Sequence, residues 1–180
     1  MKKNSSRTGF TLIELLVVIA VIGILASLII INFGSARQKA KIAQAQMESR
    51  NLYDAIILLE NDTEEWPGHQ PPNIVCTERP GGCPEDNELC DDGCPFKLSD
   101  GFGGLTQNDS SNPYYNWAGP YIPQIPLDPW GNEYFFDTDY TINKGTPDEK
   151  RAVAIGSYGP NGVGWNQYDE DDVIYIIREE

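Results

Sequence analysis

Residues 9–31 read GFTLIELLVVIAVIGILASLIII, and between Phe10 and Ile31 only Thr11, Glu14, Gly23 and Ser27 interrupt the apolar run. As a helix this run spans about 33 Å at ~1.5 Å per residue, enough to cross a bilayer. A cleavable secretory signal has a shorter apolar core followed by small residues at the cut, whereas this segment runs straight on into helix-forming sequence. The apolar run is therefore expected to stay in the working protein. Lys2, Lys3 and Arg7 precede it and Arg37, Lys39 and Lys41 follow it, so flanking charge alone leaves the orientation a tie.

Outward from this run the helical pattern persists. Residues 32–62 contain no proline, and Ala45, Ser49, Leu52, Ile56 and Leu59 follow a 4-3-4-3 spacing, one apolar face that needs a sheet or helix to cover it. Phe10 to Glu60 is expected to form one helix of about 75 Å, ending near Asn61 and Asp62. Residues 63–127 are broken by proline, glycine and acidic residues and predict irregular structure. Residues 128–180 open on Asp128-Pro129-Trp130-Gly131, a type I turn signal. Short strands are expected at Tyr134 to Phe136, Ala152 to Ile155 and Val173 to Ile177. The implied fold is α+β: a long N-terminal helix, its first half membrane-embedded, packed on a small antiparallel β-sheet.

Cys76, Cys83, Cys90 and Cys94 fall within a polar stretch that cannot build its own core. Their spacing fits no common zinc pattern, so disulfides are expected ahead of zinc or free thiols, with three pairings open. Disulfides imply an oxidising compartment, which places the C-terminal part outside the cytoplasm. The formal charge is −14, and losing Lys2, Lys3 and Arg7 with residues 1–9 takes it to −17. So acidic a surface repels phosphate backbones and argues against nucleic acid as a partner. Enzyme chemistry is not expected either. The lone His69 sits in a loop without a matched nucleophile and is expected to be solvated, and neither glycine-rich segment precedes a P-loop lysine.

Gly9-Phe10-Thr11-Leu12-Ile13-Glu14 after a short basic leader resembles the processing site of type IV pilins and type II secretion pseudopilins. That resemblance implies that prepilin peptidase cuts between Gly9 and Phe10 and methylates the new amino group. Glu14 also has a physical case. A carboxylate near the start of a membrane helix costs roughly 2.5–3.5 kcal/mol on insertion scales and calls for a partner, and the Phe10 amino group of a neighbouring subunit supplies one. The bland alternative is that Glu14 snorkels to the interface.

The segment 128–134 and the later Gly156-Ser157-Tyr158-Gly159-Pro160-Asn161-Gly162 resemble the major pseudopilin of type II secretion. That resemblance implies a calcium ion held by the carbonyl of Tyr158, the side chain of Asn161 and carboxylates from Asp169, Asp171 or Asp172. A glycine-rich loop ending in Asp-Glu-Asp-Asp suits an ion that takes six to eight oxygens, though an acidic run is ordinarily just a solvated edge. Asn161 stands where the family has Asp, Ile31 where many pilins have a helix-bending proline, and the cysteine loop has no counterpart in a typical major pseudopilin.

The implied role is a structural subunit of a homopolymeric filament. Its partners would be the peptidase, an inner-membrane assembly platform, minor pilins or pseudopilins, and lipid before assembly. The chain would be single-pass in the inner membrane and then part of a periplasmic or cell-surface filament. A surface pilin for adhesion, motility or DNA uptake is the alternative within the class, and a permanently anchored binding module the alternative outside it.

Overall fold

The computed structural model describes residues 9–75, 88–90, 96–164 and 168–180, with side chains at 26–33 outside the description. It forms two compact units, one ending at Ala40 and the other running from Lys41 to Glu180. Helix α1, Leu12–Thr63, contributes to both. It starts two residues later and ends three residues beyond the expected limits. The Asn61-Asp62 pair does not stop it, because the Thr63 hydroxyl bonds back to the Leu59 carbonyl at 2.8 Å. The stop comes at Glu64, whose φ of 59° is left-handed while its amide still bonds the Glu60 carbonyl at 2.8 Å. Through Ile31, where the resembled family often bends, the helix is continuous.

In the first unit, the side chains from Leu12 to Leu25 are solvent-exposed on every face of the helix. Among the described residues no helix is long and apolar enough to cross a membrane. The run that the sequence marks as apolar continues into 26–31, which belongs to the stretch whose side chains are not described.

The second unit packs the rest of α1 on a four-stranded antiparallel sheet ordered β1-β2-β3-β4: Glu88–Leu89, Phe135–Ile142, Lys150–Ser157 and Val173–Glu179. The strands β2, β3 and β4 are longer than expected, and β1 was not legible at all. The predicted stripe is the buried helix face, with Ala45, Ser49, Leu52, Ile56 and Leu59 all at 0% exposure. Period-two alternation then sorts the sheet. Phe136, Val153 and Ile155 meet the helix together with Trp66, Leu105 and Tyr114, while Phe135, Ala154, Tyr140 and Tyr158 form a second apolar cluster with Cys90. Strand β3 is consequently buried on both sides from Ala152 to Ser157.

Candidate functional site

At the start of α1, Thr11 and Glu14 form a capping box. The Thr11 hydroxyl oxygen accepts the Glu14 amide at 3.3 Å, and Glu14 Oε2 accepts both the amide and the hydroxyl of Thr11 at 2.8 Å. These bonds satisfy N–H groups that a helix start otherwise leaves open. The Thr-x-x-Glu spacing is itself a capping-box signal, legible at Thr11 and Glu14 independently of the charge in the apolar run. Phe10 is 85% exposed, and a side chain added at Gly9 would meet nothing within 4 Å, so the bond between them is open to solvent.

The second constellation lies between β3 and β4. Asn161 is brought to Asp169 and Asp171: its amide nitrogen donates to Asp169 Oδ2 at 2.8 Å and to Asp171 Oδ1 at 2.6 Å, and its backbone amide reaches Asp171 Oδ2 at 3.2 Å. Asp172 stands beside them, accepting the Asp169 amide at 3.3 Å and the Tyr140 hydroxyl at 2.7 Å. The close approach of Gly159 to the Asp171 backbone is compatible with this arrangement only without a side chain. A methyl group there would sit 2.1 Å from the Asp171 carbonyl oxygen, and φ at Gly159 is +66°. The turn at Asp128 braces the same loop. Asp128 Oδ1 accepts the amides of Trp130, Gly131 and Asn132 at 2.7–2.9 Å, and its other oxygen accepts the Ser157 hydroxyl, which in turn accepts the Gly159 amide at 3.0 Å.

The electrostatics are those of crowded carboxylates. Hydrogen bonding with Asp171 holds Asp169 below the usual carboxylate range and pushes Asp171 up. Burial raises Asp172 to about 6, and its Oδ1 is buried without a hydrogen-bond partner. An orphaned oxygen near the Asp169 and Asp171 carboxylates is of the ligand type that a hard cation takes. Among the described residues no three His, Cys, Asp or Glu side chains converge as a metal-holding group, so carbonyl, amide and water oxygens would have to complete the shell. The Asn161 amide points its nitrogen at the carboxylates while its oxygen accepts the Val163 amide at 2.7 Å; a cation would require the flipped amide.

The side chain of Tyr158 turns away from this loop, and its hydroxyl donates to Glu88 Oε1 at 2.7 Å. Tyr168 donates to Asp137 Oδ2 at 3.0 Å. Glu88 and Asp137 are cross-strand partners and both are buried, so burial and the Glu88 charge push Asp137 well above the usual range. Cys90 is buried and disulfide-bonded. Cys76, Cys83 and Cys94 lie outside the described residues.

His69 is not the solvated loop residue expected. Its ring stacks on Tyr114 at 3.9 Å, Nδ1 bonds the Glu65 carboxylate, and only 17% of the side chain is exposed. The local sequence could not foresee this, because Tyr114 arrives from 45 residues away.

Comparison with known proteins bears on both constellations. Residues 4–30 match the family described as the prokaryotic N-terminal methylation motif. Residues 92–175 match the family described as type II secretion system (T2SS), protein G. The type II secretion system core protein G of Vibrio cholerae serotype O1 is 29% identical over 174 residues, covering 94% of this chain and 99% of the relative. Its counterparts from Escherichia coli K12 and Pseudomonas aeruginosa are 28% and 25% identical, covering 96% and 93% of this chain and 93% and 95% of their own lengths.

Proposed function

We infer, for a chain that belongs to the type IV pilin and type II secretion pseudopilin family, that it is a structural subunit of a type II secretion pseudopilus, polymerising after its leader is cut at Gly9-Phe10 and the new terminus is methylated. The observation that carries this reading is the helix start. The apolar segment is exposed from Leu12 to Leu25 and carries one carboxylate there, Glu14, near its start. Packed among copies of itself, that segment loses the apolar exposure that is unfavourable in water at roughly 25 cal/mol per Å². Prepilin peptidase, an inner-membrane platform and minor pseudopilins are the partners this pathway requires, and the polymer works without catalysis.

The test is intact mass and N-terminal sequencing after co-expression with a prepilin peptidase, with filament assembly compared for wild type and Glu14→Ala. A chain beginning at methylated Phe10, and loss of filaments in the variant, are expected. An unprocessed Met1 would leave a permanently anchored binding module as the better reading.

We propose further that the loop of residues 158–172 holds calcium through Asn161, Asp169, Asp171 and Asp172 with the carbonyl of Tyr158. The ion would neutralise the crowded carboxylates and fix the loop against β3 and β4. The unpartnered Asp172 Oδ1 supports this. An unchanged melting temperature on chelation, with no metal by native mass spectrometry, would remove it.

A further inference from the structure

The turn after β3 carries the only Asn-Gly pair in the chain, Asn161-Gly162. The turn needs that glycine, because φ at Gly162 is +64° and a Cβ there would stand 3.1 Å from the Asn132 side chain. A residue without a side chain also gives its own amide nitrogen the least hindered approach to the side-chain carbon of the asparagine before it. We propose that Asn161-Gly162 is a self-modifying site, at which the folded loop promotes deamidation of Asn161 to an aspartyl or isoaspartyl residue.

The contacts of Asn161 suit this reaction. Its Oδ1 accepts the Val163 amide at 2.7 Å, an Asx turn that folds the side chain back over the Gly162 peptide. Its Nδ2 donates to Asp169 Oδ2 at 2.8 Å and to Asp171 Oδ1 at 2.6 Å. The opposite amide orientation would turn a carbonyl oxygen toward two carboxylates, so the network itself distinguishes the oxygen from the nitrogen. The Asn161 backbone amide donates to Asp171 Oδ2 at 3.2 Å and ties that carboxylate to the same residue. Asn161 is exposed, so water reaches it.

In the first step the Gly162 nitrogen attacks the Asn161 side-chain carbon. A C–N bond forms and the carbonyl electron pair moves onto Oδ1, where the Val163 N–H stabilises the developing charge. The proton leaving Gly162 passes through water to Nδ2, the C–Nδ2 bond breaks, and ammonia departs as ammonium. Positive charge therefore grows on a nitrogen already held by two carboxylates, a contact that strengthens toward the transition state. Water then opens the succinimide at either carbonyl. In sum, one water is consumed, one ammonium is released and one carboxylate is gained, with no change of oxidation state.

The product reverses the local electrostatics. A donor to Asp169 and Asp171 becomes a carboxylate facing them, so the loop loses two hydrogen bonds and gains like-charge repulsion. The age of a subunit is then written into a looser connection between β3 and β4. Calcium is proposed above for the same loop, but this reaction needs only water and is tested in chelator.

The test is ageing of the full-length chain in detergent micelles at neutral pH, followed by peptide mass spectrometry that locates the mass gain and separates aspartyl from isoaspartyl products. The same chain unfolded in guanidinium chloride gives the rate without the fold. Position 161 is expected to convert about 10-fold or more faster in the folded chain, a modest share of the roughly 10²–10³ that one oxyanion-hole donor contributes in enzymes. Asp171→Asn should remove most of that advantage and leave the unfolded rate unchanged, and Asp169→Asn gives the same readout if the first variant fails to fold. Asn161→Asp, which mimics the product, should melt below the wild type. Conversion no faster in the folded chain than in the unfolded one would overturn the proposal. A folded-state advantage kept by the aspartate variants would sink the role given to the carboxylates, and an Asn161→Asp variant that melts no lower would sink the predicted loosening.

Discussion

The Tyr134 hydroxyl donates to the Glu48 carboxylate, joining α1 to the residue that leads into β2 across 86 positions of sequence. Tyr134 is itself 1% exposed, so the bond is anchored in the core at one end. Tyr134→Phe should keep the packing and lose the bond, at a cost of about 1.5–3 kcal/mol for a hydrogen bond to a charged group. Chemical denaturation with an unchanged slope would confirm a loss of stability alone.

Adjacent helix positions should respond very differently. Leu59 is fully buried and Leu58 is 51% exposed. Leu59→Ala should cost about 2–5 kcal/mol, whereas Leu58→Ala should stay within roughly 0.5 kcal/mol of wild type. Thermal melts of the two variants would check the helix register directly.

Much of this register was legible beforehand, because it depends on local periodicity. The stripe from Ala45 to Leu59 and the turn at Asp128 both follow from spacing and intrinsic residue chemistry. What escaped prediction depends on contacts distant in sequence. Strand β1 has too few residues to carry a pattern, and it exists because Phe136 and Asp137 pair with it. The burial of His69 needs Tyr114, and Tyr158 turns toward Glu88, 70 residues earlier. The acidic residues of the candidate calcium loop were identifiable from composition and resemblance, but the route by which Asp128 and Ser157 brace that loop was not.

Stability should depend on pH through two carboxyl groups, the buried Asp137 and the partly buried Asp172. Asp137 is raised mainly by burial and then by Glu88, and Asp172 is raised to about 6, mainly by burial. Both bind a proton more tightly folded than unfolded, where an Asp titrates near 3.9. Stability in chelator should therefore fall as pH rises from about 4, with the Asp172 contribution exhausted above about 6. Asp137→Asn should flatten the pH dependence of the melting temperature. A melting temperature that climbs over this interval would contradict the assignment.

Gly159→Ala tests the loop against backbone geometry. The new methyl would need a left-handed φ and would meet the Asp171 carbonyl oxygen at 2.1 Å. Strain at such a position is of order 1–3 kcal/mol, and the clash adds to it. The variant is expected to melt lower and to lose any stabilisation by calcium. Gly131→Ala is the control for the clash: its φ of +102° disfavours a side chain on backbone grounds alone, since nothing lies within 4 Å. It should lower the melting temperature less.

The capping box at Thr11 and Glu14 changes what polymerisation has to accomplish at the helix start. In the single subunit the Glu14 carboxylate already holds two hydrogen bonds from its own residue 11. A neighbour's terminal amine would not meet a bare charge; it would compete with contacts already made. Docking at this point would then be an exchange, and its free energy would be the difference between an internal and an external partner rather than the full value of an ion pair. Such an exchange would favour a joint that can form and release many times over one that is permanent.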